Sequence, residues 1–319
     1  MQGARRRGAD HSRLVRCGRG AGCHSRTALR RRWAQHRAGG HPGTQGGAEC
    51  GDRRAPGRVD RRLSGGFASV DVADGIATVT LRRAERRNAL HPAAHHELAE
   101  HWDRLAADPT LRVVILTGEG PVFCAGYDLL DNLDTGVMDL PASGFGGLTR
   151  RTDFPVPLIA AVNGPAMGGG FEMALACDLI VASDTARFAL PEPKVGWAAL
   201  GGGIQRLPRA IGIKQAMGMI LTGRTIDAEE ALALGLINDV APAELLIDAA
   251  RRWAGQIVAC APIAVRCSKQ AAYAGLDMPL AAALDPANHP LASAVLASDD
   301  AEEGKRAFAD RRPPRWRNQ

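Results

Sequence analysis

Asn163-Gly164-Pro165-Ala166-Met167-Gly168-Gly169-Gly170-Phe171-Glu172 is the stretch on which the reading of this chain turns. It follows Pro157-Leu158-Ile159-Ala160-Ala161-Val162, an apolar run of strand length, and precedes Met173-Ala174-Leu175-Ala176-Cys177, which reads as a helix. The glycines therefore sit where a buried strand gives way to a helix N-terminus. Three in a row forfeit side-chain packing and lose extra entropy on folding, a cost that close approach to their backbone would offset. The N–H groups of a first helical turn, at the positive end of the helix dipole, suit a negative oxygen. A plain tight turn with close helix packing fits the same residues, and the cluster alone does not choose between the two.

A second stretch has the same grammar. Leu111-Arg112-Val113-Val114-Ile115-Leu116-Thr117-Gly118 reads as a buried strand and runs into Glu119-Gly120-Pro121-Val122-Phe123-Cys124-Ala125-Gly126-Tyr127-Asp128, a small-residue turn opening toward a helix. Two such turns supply two backbone donors to one oxygen, an oxyanion hole for a carbonyl that becomes an enolate. Glu172 lies three residues after Gly169, and Glu192 follows between Pro191 and Pro193, which argue for a stiff loop. A single Glu is usually a surface residue. A pair flanking an oxyanion hole suits the addition of water across an activated double bond, one carboxylate acting on the water and the other on the carbon proton.

Phe123-Cys124-Ala125-Gly126-Tyr127-Asp128, Ala160-Ala161-Val162-Asn163-Gly164 with Gly168-Gly169-Gly170-Phe171-Glu172, Pro191-Glu192 and Gly202-Gly203-Ile204-Gln205-Arg206-Leu207 together resemble the enoyl-CoA hydratase/isomerase (crotonase) family. The motifs come in family order at family spacing, over roughly residues 66 to 317. The resemblance implies an α/β fold, a spiral of repeated ββα units with a C-terminal helical trimerisation region. It implies that the N–H groups of Tyr127 and Gly169 form the oxyanion hole, and that Glu172 and Glu192 are the acid/base pair of a hydratase. It further implies that Arg86, Arg87, Ala89, Ala125, Gly126 and Leu200 border the substrate, with Arg311 and Arg312 as candidates for a coenzyme phosphate. The activity so implied is reversible addition of water to a 2-enoyl-CoA, the alternatives being a carnitinyl-CoA dehydratase-like or enoyl-CoA isomerase reaction. Coenzyme A enters as part of the acyl-CoA thioester substrate, with no metal and no separate cofactor, and the implied assembly is a homotrimer or homohexamer. One departure stands out: many such hydratases carry Pro-Gly where this chain has Ala199-Leu200, and a leucine there would shrink or reshape the site.

Charge is unevenly spread. The 319 residues carry a net +6, yet residues 1–62 hold sixteen Arg and no Lys against four acidic residues, for +12, which leaves −6 on the rest. Residues 1–62 lack apolar periodicity and read as a disordered Arg/Gly-rich tail. Its readings are a start site placed too far upstream, a functional disordered tail that binds RNA or an anionic surface, or a targeting sequence. With no Met between Met1 and Met138, a shorter product would begin at an alternative initiator such as Val59 or Leu63. An RNA-binding protein using this tail is the rival of another class, although nucleic acid is the weaker expectation. Cys17, Cys23 and Cys50 fit no paired zinc spacing, and the other four cysteines read as reduced thiols, so a reducing cytoplasm is the expected compartment. No apolar run approaches the length needed to span a bilayer.

The rest divides into a catalytic core over 63–258 and a helical region over 259–319. Residues 67–72 and 76–81 read as a hairpin. Residues 91–107 form an amphipathic helix with Leu98, Trp102 and Leu105 on one face; His91, His95, His96 and His101 on it read as surface residues. The segment 129–153, rich in Gly, Asp and Thr, reads as a mobile loop and substrate lid, with Met138, Leu140, Phe145 and Leu148 as acyl-pocket candidates. Beyond Leu207 the pattern predicts helices over 213–221, 227–234, 242–260, 262–274 and 290–310, with Asp227 or Thr225 as an N-cap and a brief strand at 235–240. No GxGxxG, GK[ST] or GxSxG motif is present, which removes dinucleotide, P-loop and serine-hydrolase chemistry.

Overall fold

The computed structural model describes residues 61–64, 66–135 and 138–318; the readings of the tail up to residue 60 lie outside them. The main sheet has seven strands: β1 (Arg61–Ser64), β2 (Ala68–Ala73), β3 (Ile76–Leu81), β4 (Val113–Gly118), β5 (Leu158–Val162), β7 (Leu179–Ser183) and β10 (Asp239–Ala241), in that spatial order. β1, β2 and β3 pair antiparallel, and from β3 onward every pairing is parallel. The residues explain the change. β3 alternates between buried and half-buried, while β4 and β5 are apolar almost without interruption and covered on both faces, as parallel strands must be. β1 begins at Arg61, two residues before the boundary drawn at 63.

A smaller sheet forms from β6 (Pro165–Met167), β8 (Arg187–Ala189) and β9 (Ile226–Asp227). β6 leads directly into α3 (Gly169–Ala176), so this helix starts at the glycines rather than at Met173. Helix α1 (Pro92–Ala107) buries Ala94, His95, Leu98, Ala99, His101, Trp102 and Leu105. His95 and His101 are thus core residues, a correction of the surface reading; His91 caps the helix by accepting the Ala94 N–H, and only His96 keeps substantial exposure, beside Asp139 at 3.1 Å. Both buried histidines share the helical stripe of Leu98 and Trp102, so that face is wider than its apolar residues alone suggest.

The segment 129–153 is also more ordered than expected. It opens with α2 (Leu129–Thr135), and its second half is a buried turn over Phe145–Gly147. Trp102 Nε1 donates to Gly146 O at 2.8 Å, Phe145 N to Thr149 Oγ1 at 3.0 Å, and Arg151 Nε to Gly147 O at 2.7 Å. A glycine-rich turn survives in a core because its backbone groups are matched one by one.

After α4 (Gly203–Ile211), α5 (Ile213–Thr222) and α6 (Ala228–Ala233), helix α7 (Leu246–Val258) packs on β4 and β5. Asp227 caps α6 by accepting the Glu230 N–H at 2.9 Å. The C-terminal region is α8 (Pro262–Gly275), α9 (Leu280–Ala283), α10 (Ala292–Ala297) and α11 (Asp299–Ala309). Ser298 divides the predicted 290–310 helix in two by capping α11. Buried Asp300 accepts the N–H groups of Arg317 and Asn318, and Glu303 takes Arg312 in two bonds of 2.6 and 3.0 Å. Arg312, expected as a phosphate candidate, is therefore committed within its own chain.

Candidate active site

Strand β6 brings the two turns together. Phe123 and Cys124 donate their N–H groups to Pro165 O, and Met167 N–H donates to Cys124 O at 2.9 Å, so the 123–127 segment runs alongside 165–169. Gly126, with φ of 94°, arrives so close that a Cβ there would lie 2.8 Å from Met167 O and 3.2 Å from Gly169 N. Asn88 anchors the same segment from below: its side chain donates to Glu119 O and Val122 O, and Cys124 Sγ donates to its carbonyl.

Each member of the glycine triplet has its own neighbour. Gly168 caps α3 with φ of 52°, and a Cβ on it would lie 2.9 Å from Glu192 Oε1. A Cβ on Gly169 would enter the Phe145 ring, 2.6 Å from two of its carbons, and one on Gly170 would lie 2.7 Å from Cys124 Cβ. Close packing thus accounts for two of the glycines, and the carboxylate for the third. The Gly168 N–H goes to Ala189 O at 3.0 Å, whereas the N–H of Gly169, at the first position of α3, lies outside the intrahelical ladder.

Glu172, in the first turn of α3, is buried, and its Oε1 accepts the Gly203 N–H at 2.9 Å at the start of α4. Burial raises its pKa to about 7 and the Glu192 charge adds to the rise, while the N–H groups of Gly203 and Gly201 and the Arg206 guanidinium oppose it. Glu192 begins a short 3-10 turn (Glu192–Val195) framed by Pro191 and Pro193. It too is buried with its pKa raised by burial, and its Oε2 has no hydrogen-bond partner among the described residues. Burial thus favours the protonated form of both carboxyls, and a group held protonated beside one that can ionise is suited to give one proton and take another.

Around this floor runs a chain of rings. Trp197 meets Tyr127 edge-on at 6.1 Å, Tyr127 stacks on His95 at 5.7 Å, and His95 meets Phe145 edge-on at 4.5 Å. His95 and Phe145 were not singled out as ring partners by the sequence; His95 sits three residues before Leu98 on the α1 stripe, which is the signal that exposes it. Leu200 is 71% exposed. Ala199, Leu190 and Gly201 lie close around Glu172 and Gly203, while the Leu200 side chain faces solvent. Ala89 is buried, Ala125 half-buried, and Arg86 and Arg87 are exposed; Arg83 turns inward to Asp128 at 2.7 Å.

A mixed α/β fold here seats two buried carboxylates beside the N-terminus of a glycine-led helix. Residues 71–319 match the family described as Enoyl-CoA hydratase/isomerase, and the chain belongs to that family, as a hydro-lyase of crotonase fold. It is 42% identical over 258 residues to (E)-benzylidenesuccinyl-CoA hydratase of Thauera aromatica, covering 78% of this chain and 98% of that protein. Carnitinyl-CoA dehydratase of Proteus mirabilis is 41% identical over 238 residues, covering 73% and 91%. The crystal structure of enoyl-CoA hydratase from Mycobacterium tuberculosis H37Rv superposes with a TM-score of 0.75 at 39% identity, covering 79% of this chain and 99% of that one. Among the described residues, no helix is long and apolar enough to cross a membrane.

Proposed function

We propose that the chain adds water reversibly to a 2-enoyl-CoA thioester, with Tyr127 and Gly169 N–H groups holding the thioester oxygen and Glu172 and Glu192 moving the protons. The ionised member of the pair takes a proton from water as its oxygen bonds to C3. The C2–C3 π electrons shift toward the thioester, whose oxygen carries the enolate charge against the two N–H donors. The protonated member then delivers its proton to C2 as the carbonyl re-forms, so one water is consumed and the carboxyl pair ends with one proton, as it began. Dehydration is the same path reversed. The observation that carries this reading is two buried carboxyls, both with raised pKa, that of Glu192 against Gly168 at the head of α3 and that of Glu172 from the first turn of the same helix.

The substrate's acyl group is proposed to be branched, polar or aromatic rather than a plain alkyl chain, as in a carnitinyl-CoA dehydratase-like reaction. The named substrates of two relatives carry such groups, and the exposed rim of Trp197 and Leu200 leaves room for one. Double-bond isomerisation without water uses the same hole but needs only one proton-transfer group, so retention of both glutamates argues against it. Exposed Arg86 and Arg87 are proposed to meet the coenzyme phosphates. A homotrimer or pair of trimers is the proposed assembly, consistent with exposed Leu276, Leu280, Leu284 and Leu296 in the C-terminal region, and light scattering on the purified protein measures it. The reaction is tested by following the loss of conjugated-thioester absorbance over straight-chain, branched and aromatic 2-enoyl-CoA substrates. Loss of absorbance with any of them supports hydration; isomerised product without incorporated water rejects it.

A further inference from the structure

We infer that His95 is a positioning residue that holds both donors of the proposed oxyanion hole through a single neutral imidazole. The inference rests on the hole proposed above and concerns groups that no step of the reaction uses.

His95 is fully buried, and its Nδ1 accepts the Gly146 N–H at 2.9 Å. That acceptor role assigns the ring proton to Nε2, which has no hydrogen-bond partner among the described residues. An unmatched buried donor is costly, so packing elsewhere must compensate for keeping a histidine here. The compensation is visible on either side of the ring. One face stacks on Tyr127, the residue of the first proposed donor, and an edge meets Phe145. The Phe145 ring in turn covers Gly169, the second donor, so closely that no side chain fits between them. The hydrogen bond to Gly146 fixes the turn that carries Phe145, and Arg206 reinforces that turn from the other side through Thr149 O at 2.7 Å. His95 therefore touches the supports of both donors at once. Burial holds the ring neutral to about pH 3, with His91 and His96 acting in the same direction and Asp139 opposing, so the acceptor at Nδ1 persists throughout the working range.

Two polar replacements separate position from polarity. The amide oxygen of His95→Asn reaches the place of Nδ1, whereas the longer side chain of His95→Gln puts its amide near Nε2. His95→Leu removes the acceptor altogether. The readouts are kcat and KM in hydration, and the red shift of cinnamoyl-CoA bound to each variant in a Glu172→Gln background, since carbonyl polarisation by the hole moves this absorbance without turnover. Expected are a kcat lowered about tenfold to a hundredfold in the Leu and Gln variants, with KM within about threefold and the red shift largely lost. The Asn variant keeps the red shift and a kcat within about threefold of the parent. Parental kcat and red shift in the Leu or Gln variant, or an Asn variant no better than Gln, overturns the inference. Should His95→Leu fail to fold, the Asn and Gln pair decides alone. A parent in the Glu172→Gln background with no red shift rejects the hole itself, a separate failure that also removes the role given to His95.

Discussion

The turn Met167–Gly170 and the segment 195–200 both border Glu192, and they are held in opposite ways. In the first, backbone N–H groups are committed to Cys124 O and Ala189 O, and each glycine faces an atom that leaves no room for a Cβ. In the second, Trp197 N–H holds Glu192 O at 2.9 Å, but Val195, Trp197 and Leu200 are exposed and a Cβ on Gly196 would meet nothing. One region is packed too closely for a side chain at its glycines; the other is held by local backbone bonds and leaves its larger side chains exposed. In the proposed reaction the chemistry falls to the first and the choice of acyl group to the second.

The contrast breaks most sharply at the floor. Gly169→Val would force the Phe145 ring off α3, and hydration should fall by at least about a thousandfold, measured as kcat on protein whose helical content by circular dichroism is unchanged. Glu172→Gln and Glu192→Gln should each lower kcat by about 10² to 10⁴ with little change in KM, because proton transfer is lost while binding is kept. At the rim, Leu200→Gly or Trp197→Ala should shift the ratio of kcat/KM between aromatic and straight-chain thioesters by about tenfold, leaving kcat on the better substrate within a few-fold.

A smaller effect sharpens the same comparison through stability. Folding raises the Glu172 pKa from 4.5 to about 7, so the folded chain holds this proton more tightly than the unfolded one. The stability this gives is complete below pH 4.5 and is lost as pH rises to about 7. An amide does not titrate, so the stability of Glu172→Gln relative to the parent should climb through that window by at most roughly 3 kcal/mol and then level off, read from urea unfolding at a series of pH values. A difference independent of pH would mean that the carboxyl is solvated. Exposed Val195→Ala should change unfolding by less than about 0.5 kcal/mol at any pH.

The floor was legible in the sequence because its signals are local. A strand, a glycine run and the Glu that follows it occupy sixteen consecutive positions, 157–172, and Glu192 is marked by its flanking prolines. The supports were not legible, because their partners lie far along the chain. His95 bonds Gly146 across 51 residues, and Arg206 reaches Thr149 across 57. The 144–149 turn looked mobile because glycine and threonine dominate it, and nothing in composition reveals that Trp102, His95 and Arg206 will match its backbone groups. Leu200 misled in the opposite sense: its position suggested a filled site, but the N–H of Leu200 closes a tight turn onto Ala198 O and its side chain stays exposed.

The paired action of the two glutamates is tested most directly by the initial rate of 2-enoyl-CoA hydration, followed by absorbance, in the parent, Glu172→Gln, Glu192→Gln and the double variant. If one proton is handled by both carboxyls, each single variant loses most of the rate and the double variant is little worse than either, because residues that act as a unit are not additive. Parental activity in either single variant, or losses that multiply in the double, would contradict it.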